Sequence, residues 1–233
     1  MKIEGFYYGT VAEGLSESER DNKSLAFMPQ VVEARIGNKY ILASEAYKKI
    51  WDRIIGTLSI KVTGKDTRGK KVILYAHTPH YFCNPENIRG AKDINGALVM
   101  PKEAFNGLLK KVDGEKIFAV DYDQIKESPN IVPLCEALSH PEVIPFLGKY
   151  GAKGYLKSRN VGLRKAGMLQ IEREDDVYSQ PLARFLCLSD RSYGGGLNGF
   201  EDFNSTLRFP ALGLKLAGNG LKHSGLKLEA LAK

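Results

Sequence analysis

The chain has 233 residues, 43% of them hydrophobic and 26% charged, which is enough apolar content for a sizeable core without disulfide support. No apolar run approaches the ~18 residues that would cross a bilayer, and the opening MKIEGFYYGT lacks the apolar centre of a signal peptide. Three widely spaced cysteines exclude a disulfide-stapled scaffold, and 34 basic against 27 acidic residues, a net charge of +7, permit an anionic partner without requiring one.

These bounds describe a soluble, cytoplasmic protein with reduced thiols, in which Cys135 and Cys187, flanked by leucines, belong to the core. Lys2 to Val11 is predicted as a first strand through the β-favouring Phe6, Tyr7 and Tyr8, and the acid-rich Ala12 to Lys23 as a solvated loop or short helix. Gln30 to Ile36 and Lys39 to Ala43 read as two hairpin arms closed at Gly37-Asn38, a pair that accepts positive φ. Ser44 then caps a helix through Ile55, with Tyr47, Ile50, Trp51, Ile54 and Ile55 on one apolar face and Gly56 as its stop.

Leu58, Ile60 and Val62 alternate with polar residues in a half-buried strand, and the turn-rich GKDTRGK returns the chain antiparallel as Lys71 to His77. Pro101 opens a helix whose Phe105, Leu108, Leu109 and Val112 form an apolar stripe ending at Gly114, and Lys116 to Val120 follows as another buried strand. Strand, helix and strand in that order predict a right-handed crossover, with Lys71 to His77 parallel to Lys116 to Val120. Beyond Pro129, Pro133, Pro141 and Pro145, which cut the chain into short pieces, Met168 to Glu172 and Ala183 to Ser189 read as strands. SYGGGLNGFEDFN reads as a loop, and a tail of leucines, glycines and lysines carries a terminal helix at Leu226 to Ala232.

The fold class expected is α+β (mixed α/β): a predominantly antiparallel sheet with one parallel β-α-β crossover, helices on one or both faces, and an irregular C-terminal third. One domain spans 1–233, with a point of subdivision near 128–133.

Two stretches carry chemistry. From Lys149 to Lys165 there are six basic residues and no acidic one. Lys149, Lys153, Lys157, Arg159, Arg164 and Lys165, with Tyr150 and Tyr155 interleaved, form a candidate interface for nucleic acid or another polyanion, combining phosphate contacts with base stacking. The plain alternative is a solvated face whose tyrosines turn inward.

The second is KVILYAHTPHYFCNP, where His77, His80 and Cys83 follow a buried strand at three-residue intervals and have the donor types of a zinc or other divalent-metal site. Parallel pairing would bring Asp121 and Asp123 to the same sheet edge and complete the ligand set. The plain reading is a strand-end loop whose histidines bond backbone carbonyls. Asp121-Tyr122-Asp123 resembles the Asp-x-Asp of haloacid-dehalogenase-type phosphatases, which implies Asp121 as nucleophile and Asp123 as acid and base. It also resembles the Asp-x-Asp of metal-dependent glycosyltransferases, which implies that both hold metal; Ile125 departs from the Thr or Val of the phosphatase pattern. An Asp pair at a strand-to-turn junction, with Asp123 as a cap, is the plain reading and the favoured one.

The sequence therefore leads with polyanion binding through 149–165. A metal-dependent hydrolase or transferase of a phosphate-containing substrate comes second, and a structural or assembly subunit meeting a protein partner through its C-terminal tail third. No membrane partner is expected.

Overall fold

The computed structural model describes residues 3–37, 54–160, 168–171, 178–188, 197–199 and 207–213. In chain order β1 (Ile3–Gly9), α1 (Val11–Arg20), β2 (Lys23–Leu25) and α2 (Met28–Gly37) lead to the long β3 (Ile55–Lys65) and to β4 (Lys71–Ala76). A 3₁₀ turn at Tyr81–Cys83 precedes α3 (Pro85–Arg89), β5 (Asp93–Ile94), β6 (Ala97–Val99), α4 (Lys102–Leu109), β7 (Ile117–Asp121) and α5 (Tyr122–Glu127). Then come β8 (Ile131–Pro133), α6 (Val143–Leu147), α7 (Ala152–Asn160), β9 (Met168–Gln170), β10 (Leu182–Leu188), β11 (Leu197–Gly199) and β12 (Leu207–Gly213).

β3 is the axis of the sheet. Along one edge it pairs antiparallel with β10, and along the other its second half, from Ile60 to Lys65, pairs antiparallel with β4. Its first residue, Ile55, meets Arg208 of β12 in a parallel contact, and β12 pairs antiparallel with β1 and β2. β10 is flanked in turn by β6 and β11. The sheet is thus predominantly antiparallel with some parallel pairing, as expected.

Alternation along β3 and β4 divides the interior in two. Leu58, Ile60, Val62, Val72 and Leu74 point into a core shared with Val11 and Leu15 of α1, Phe82, and Phe105 of α4. Ile55, Ile73 and Tyr75 point the other way, into a core shared with Val31 and Val32 of α2, Phe146 of α6 and Tyr155 and Leu156 of α7. Helices therefore cover both faces, which explains why β3 is buried from Ile55 to Val62 without interruption.

The hairpin from Leu58 to His77 and the strands at 183–189 and 168–172 form close to where the pattern places them. Of the two forms expected for the acid-rich 12–23 segment the short helix is found, as α1 up to Arg20, because Thr10 and Glu13 make a reciprocal capping box and Val11, Ala12 and Leu15 give it a buried face. Other elements differ. Gln30 to Ile36 lies in α2 and is not a hairpin arm; its proposed partner, Lys39 to Ala43, lies outside the described residues. The helix expected from Ser44 to Ile55 lies outside them too, apart from Ile54 and Ile55, and Ile55 opens β3.

The expected parallel crossover between 71–77 and 116–120 is corrected: β4 and β7 pair antiparallel, with Val72 opposite Asp121 and Ala76 opposite Ile117. Between them the β5–β6 hairpin reaches back to Leu182 and Ala183 of β10, level with Thr63 and Val62 of β3. α4 then carries the chain back to Ala76, and the two legs cancel the crossover.

Candidate functional site

The face of β3 that looks toward α2, α6 and α7 carries Thr57, Ser59 and Lys61, three buried polar residues in an otherwise apolar interior. Each has its partners, as burial requires. The Thr57 hydroxyl donates to the Leu186 carbonyl at 2.9 Å, and Lys61 Nζ lies 2.9 Å from Glu142 Oε1, which also accepts from the Tyr75 hydroxyl. Burial of the Tyr75 phenol, with the Glu142 carboxylate beside it, holds it well above its ordinary range.

His77 completes this seam. Nε2 sits 2.7 Å from the Pro145 carbonyl, which can only accept, so Nε2 carries the proton and Nδ1 is an acceptor. The Ser59 hydroxyl, 2.8 Å away, donates to Nδ1 and itself accepts from the Met28 N–H at 2.7 Å. Burial pushes the His77 pKa down to about 4. One chain of hydrogen bonds thus ties the start of α2, the middle of β3, the end of β4 and the helix α6. Farther along α2, buried Arg35 donates to the Tyr155 hydroxyl of α7 at 2.9 Å.

The proposed metal ligands are spent in the same way. His80 Nε2 lies 2.7 Å from the Leu58 carbonyl while its Nδ1 accepts from the Phe82 N–H, and burial lowers its pKa to about 4. Cys83 Sγ accepts from the His80 N–H, and burial raises the thiol to about 11. Neither imidazole has a ring nitrogen left over for a cation.

Antiparallel pairing leaves Asp121 opposite Val72, at the far end of β4 from His77, so the two groups lie about 17 Å apart along the strand. Asp121 caps α5 by accepting the Asp123 N–H at 3.0 Å, and it pairs with Lys70 at 2.6 Å. The lysine and that N–H hold its carboxyl below the usual carboxylate range. Of the thiols, Cys187 is buried as expected, whereas Cys135 is exposed, in correction of its assignment to the core.

The basic run resolves into residues with different fates. Tyr155 is buried to 1% exposure beneath α7, where no base could stack on it, and Lys153 and Lys157 are exposed on that helix. The Arg159 side chain, Arg164 and Lys165 lie outside the described residues. Lys149 and Tyr150 belong to a site that spacing did not reveal.

Where α6 turns into α7, a hollow of about 310 Å³ opens between Pro29, Gln30, Glu33 and Ile36 of α2 and the Gly148–Gly151 connection, with Glu115 at its rim. Tyr150 is 79% exposed there. Even so its ring is held: the hydroxyl donates to Glu115 Oε1 at 2.8 Å, Lys149 Nζ lies 3.5 Å from the same oxygen, and that ammonium stands 5.6 Å from the ring centroid. The Glu115 hydrogen bond raises the Tyr150 pKa.

Close helix packing floors the hollow. A Cβ on Gly148 would stand 2.9 Å from Pro29 Cγ, and one on Gly151 would stand 2.5 Å from Val32 Cγ1. A second hollow, about 320 Å³ beside Tyr81, Lys92, Lys102 and Gln180, is lined by lysines and no carboxylate.

No protein-family model and no curated protein matches the chain. A solved structure does: the Nanoarchaeota protein in which the C-type lectin fold accommodates massive sequence variation is 31% identical, with a TM-score of 0.79, over 91% of this chain and 99% of its own. This neighbour corrects the functions expected above: a C-type lectin fold stands where nucleic-acid binding through 149–165, or a metal-dependent hydrolase or transferase, was expected. Metal binding is corrected on the donors as well: among the described residues no three His, Cys, Asp or Glu side chains converge as a cation site needs. Of the leucine-rich tail behind the subunit reading, only Leu212 and Gly213, which end β12, are among the described residues. Among those described no helix is long and apolar enough to cross a membrane. An identity of 31% sustained over nearly the full length of both chains, on one backbone course, makes this chain a member of the C-type lectin fold family.

Proposed function

We propose that this chain is a recognition protein, binding a carbohydrate or a partner protein through exposed residues carried on a rigid C-type lectin frame. The observation that carries this reading is the full-length likeness to a Nanoarchaeota protein whose C-type lectin fold accommodates massive sequence variation. A frame that tolerates variation at its surface needs an interior specified independently of that surface. The buried seam from Met28 through Ser59 and His77 to Pro145, with Glu142 held by Lys61 and Tyr75, is an interior of that kind. No step of this reading runs through a metal ion.

The test is binding of the purified chain to an array of immobilised neutral and acidic glycans and to a displayed protein library. Saturable binding to one class, little changed as salt rises, is the expected outcome, because phosphate-backbone binding instead collapses with salt. Failure to bind either class would overturn the proposal, as would binding confined to nucleic acid.

A further inference from the structure

We infer that two copies of this chain join through the open edge of β1, antiparallel about a two-fold axis at Phe6, so that Glu4 of each copy meets Arg208 of the other. This surface is distinct from the hollow beside Tyr150, and it does not depend on the recognition reading above.

The edge itself is open. β1 stands at the end of the sheet and, among the described residues, pairs only with β12. Its register places Phe6 opposite Pro210 and Tyr8 opposite Arg208. Pro210 has no N–H and sends its carbonyl away from β1, to the Ala26 N–H. Residues of an antiparallel pair alternate between facing their partner strand and facing away from it. Gly5, Tyr7 and Gly9 therefore hold β12, while Phe6 and Tyr8 turn their N–H and C=O groups to the outside. Such a row of backbone groups is a template for another strand.

An unsatisfied cation sits on that edge. The Arg208 guanidinium lies over the rings of Phe6 and Tyr8, 4.4 and 5.0 Å from their centroids, and so reaches from β12 across the edge strand. Its Nε is buried without a hydrogen-bond partner, and no carboxylate among the described residues pairs with it. A guanidinium held against aromatic faces with a buried donor unused lacks the acceptor that burial calls for. Tyr8 is 61% exposed, so the cluster is open to solvent at the edge.

Symmetry selects the occupant. Glu4 is exposed and is the one carboxylate of β1, and it stands two residues before Phe6 as Tyr8 stands two residues after it. Antiparallel pairing centred on Phe6 sets Glu4 of one copy opposite Tyr8 of the other, beside Arg208, and repeats the contact across the axis. The paired strands would lie about 5 Å apart, which a glutamate side chain spans toward a guanidinium already stretched over β1. The acid and the base thus complement each other only when the added strand is β1 itself. The β-bulge between Ile3 and Gly5 stops regular pairing beyond Glu4, and the turn into α1 stops it beyond Gly9, so the ladder is short and closes as a dimer.

The experiment is sedimentation equilibrium, over a range of concentrations, on the native chain and its Glu4→Arg, Arg208→Glu and doubly exchanged variants. The native chain should pass from monomer to dimer as concentration rises. Each single change sets like charges face to face twice per dimer and should weaken association about tenfold or more, and the double exchange should recover most of that loss. Glu4 is exposed, so Glu4→Arg keeps the fold and carries the test alone if Arg208→Glu, which alters a partly buried group, lowers the melting temperature. A native chain that stays monomeric up to about 1 mM would overturn the inference, as would a dimer whose dissociation constant Glu4→Arg leaves unchanged. Weakening in both folded single variants with no recovery in the double would overturn the pairing of Glu4 with Arg208.

Discussion

His77 shows how one residue can hold three elements and what it costs to keep it neutral. Its neutral form is the only one compatible with accepting the Ser59 hydroxyl while donating to Pro145. In the unfolded chain it titrates near 6.5 and in the folded protein at about 4, so between these values the unfolded state binds more protons. Stability therefore rises with pH across that window and is lost as pH falls through it, with about 3 kcal/mol at stake from this residue. Urea denaturation from pH 4 to 7 should show this slope in the native chain and a flatter one in His77→Gln. Parallel pH profiles for the two would show that the slope has another origin. The wrong expectation for His77 has a simple cause: a donor type is visible in sequence, but whether its lone pair is already engaged depends on Ser59 and Pro145, 18 and 68 positions away.

At the scale of elements, α2 and α7 meet so closely that a single methyl group tests their contact. Gly151→Ala would place Cβ 2.5 Å from Val32 Cγ1, with the Leu147 carbonyl 3.5 Å behind it, so the helices must separate. The expected loss is about 1–3 kcal/mol in chemical denaturation, and an unchanged midpoint would show that the contact yields freely. α2 was also the element hardest to read. Met28, Val31, Val32 and Arg35 are buried at the i, i+3, i+4, i+7 spacing of one face, but the last is a charged residue, so the apolar stripe that marks a surface helix breaks off after one turn. Its β-branched Val31, Val32 and Ile36 running into Gly37-Asn38 imitate a hairpin arm instead. The β3–β4 hairpin was legible because Leu58, Ile60 and Val62 alternate on one face of one strand and the GKDTRGK turn is local. The antiparallel partner of β4 was not, because the β5–β6 detour is recorded only in contacts with β10.

The whole molecule is organised by β3, which takes part in both cores, one on each side of the sheet. Neither core can open without exposing the other side of that strand. Denaturant unfolding followed by far-ultraviolet circular dichroism and by tyrosine absorbance should therefore give coincident, single transitions. Two separated transitions would show that the helical layers melt independently. The same long-range construction explains why the candidate site escaped a reading by spacing. Tyr150 stood out as an aromatic among lysines, but Gln30, Glu33 and Glu115 come from distant stretches and carry no local signal; folding alone assembles them into one hollow.

The unequal burial of the three thiols has a practical consequence. Cys187 is enclosed, and Cys83, partly buried, keeps its proton well past neutrality, leaving Cys135 as the one exposed thiol. A maleimide fluorophore added near pH 7 would therefore attach at Cys135 first, giving the native chain a single reporter position or immobilisation point without any engineered cysteine.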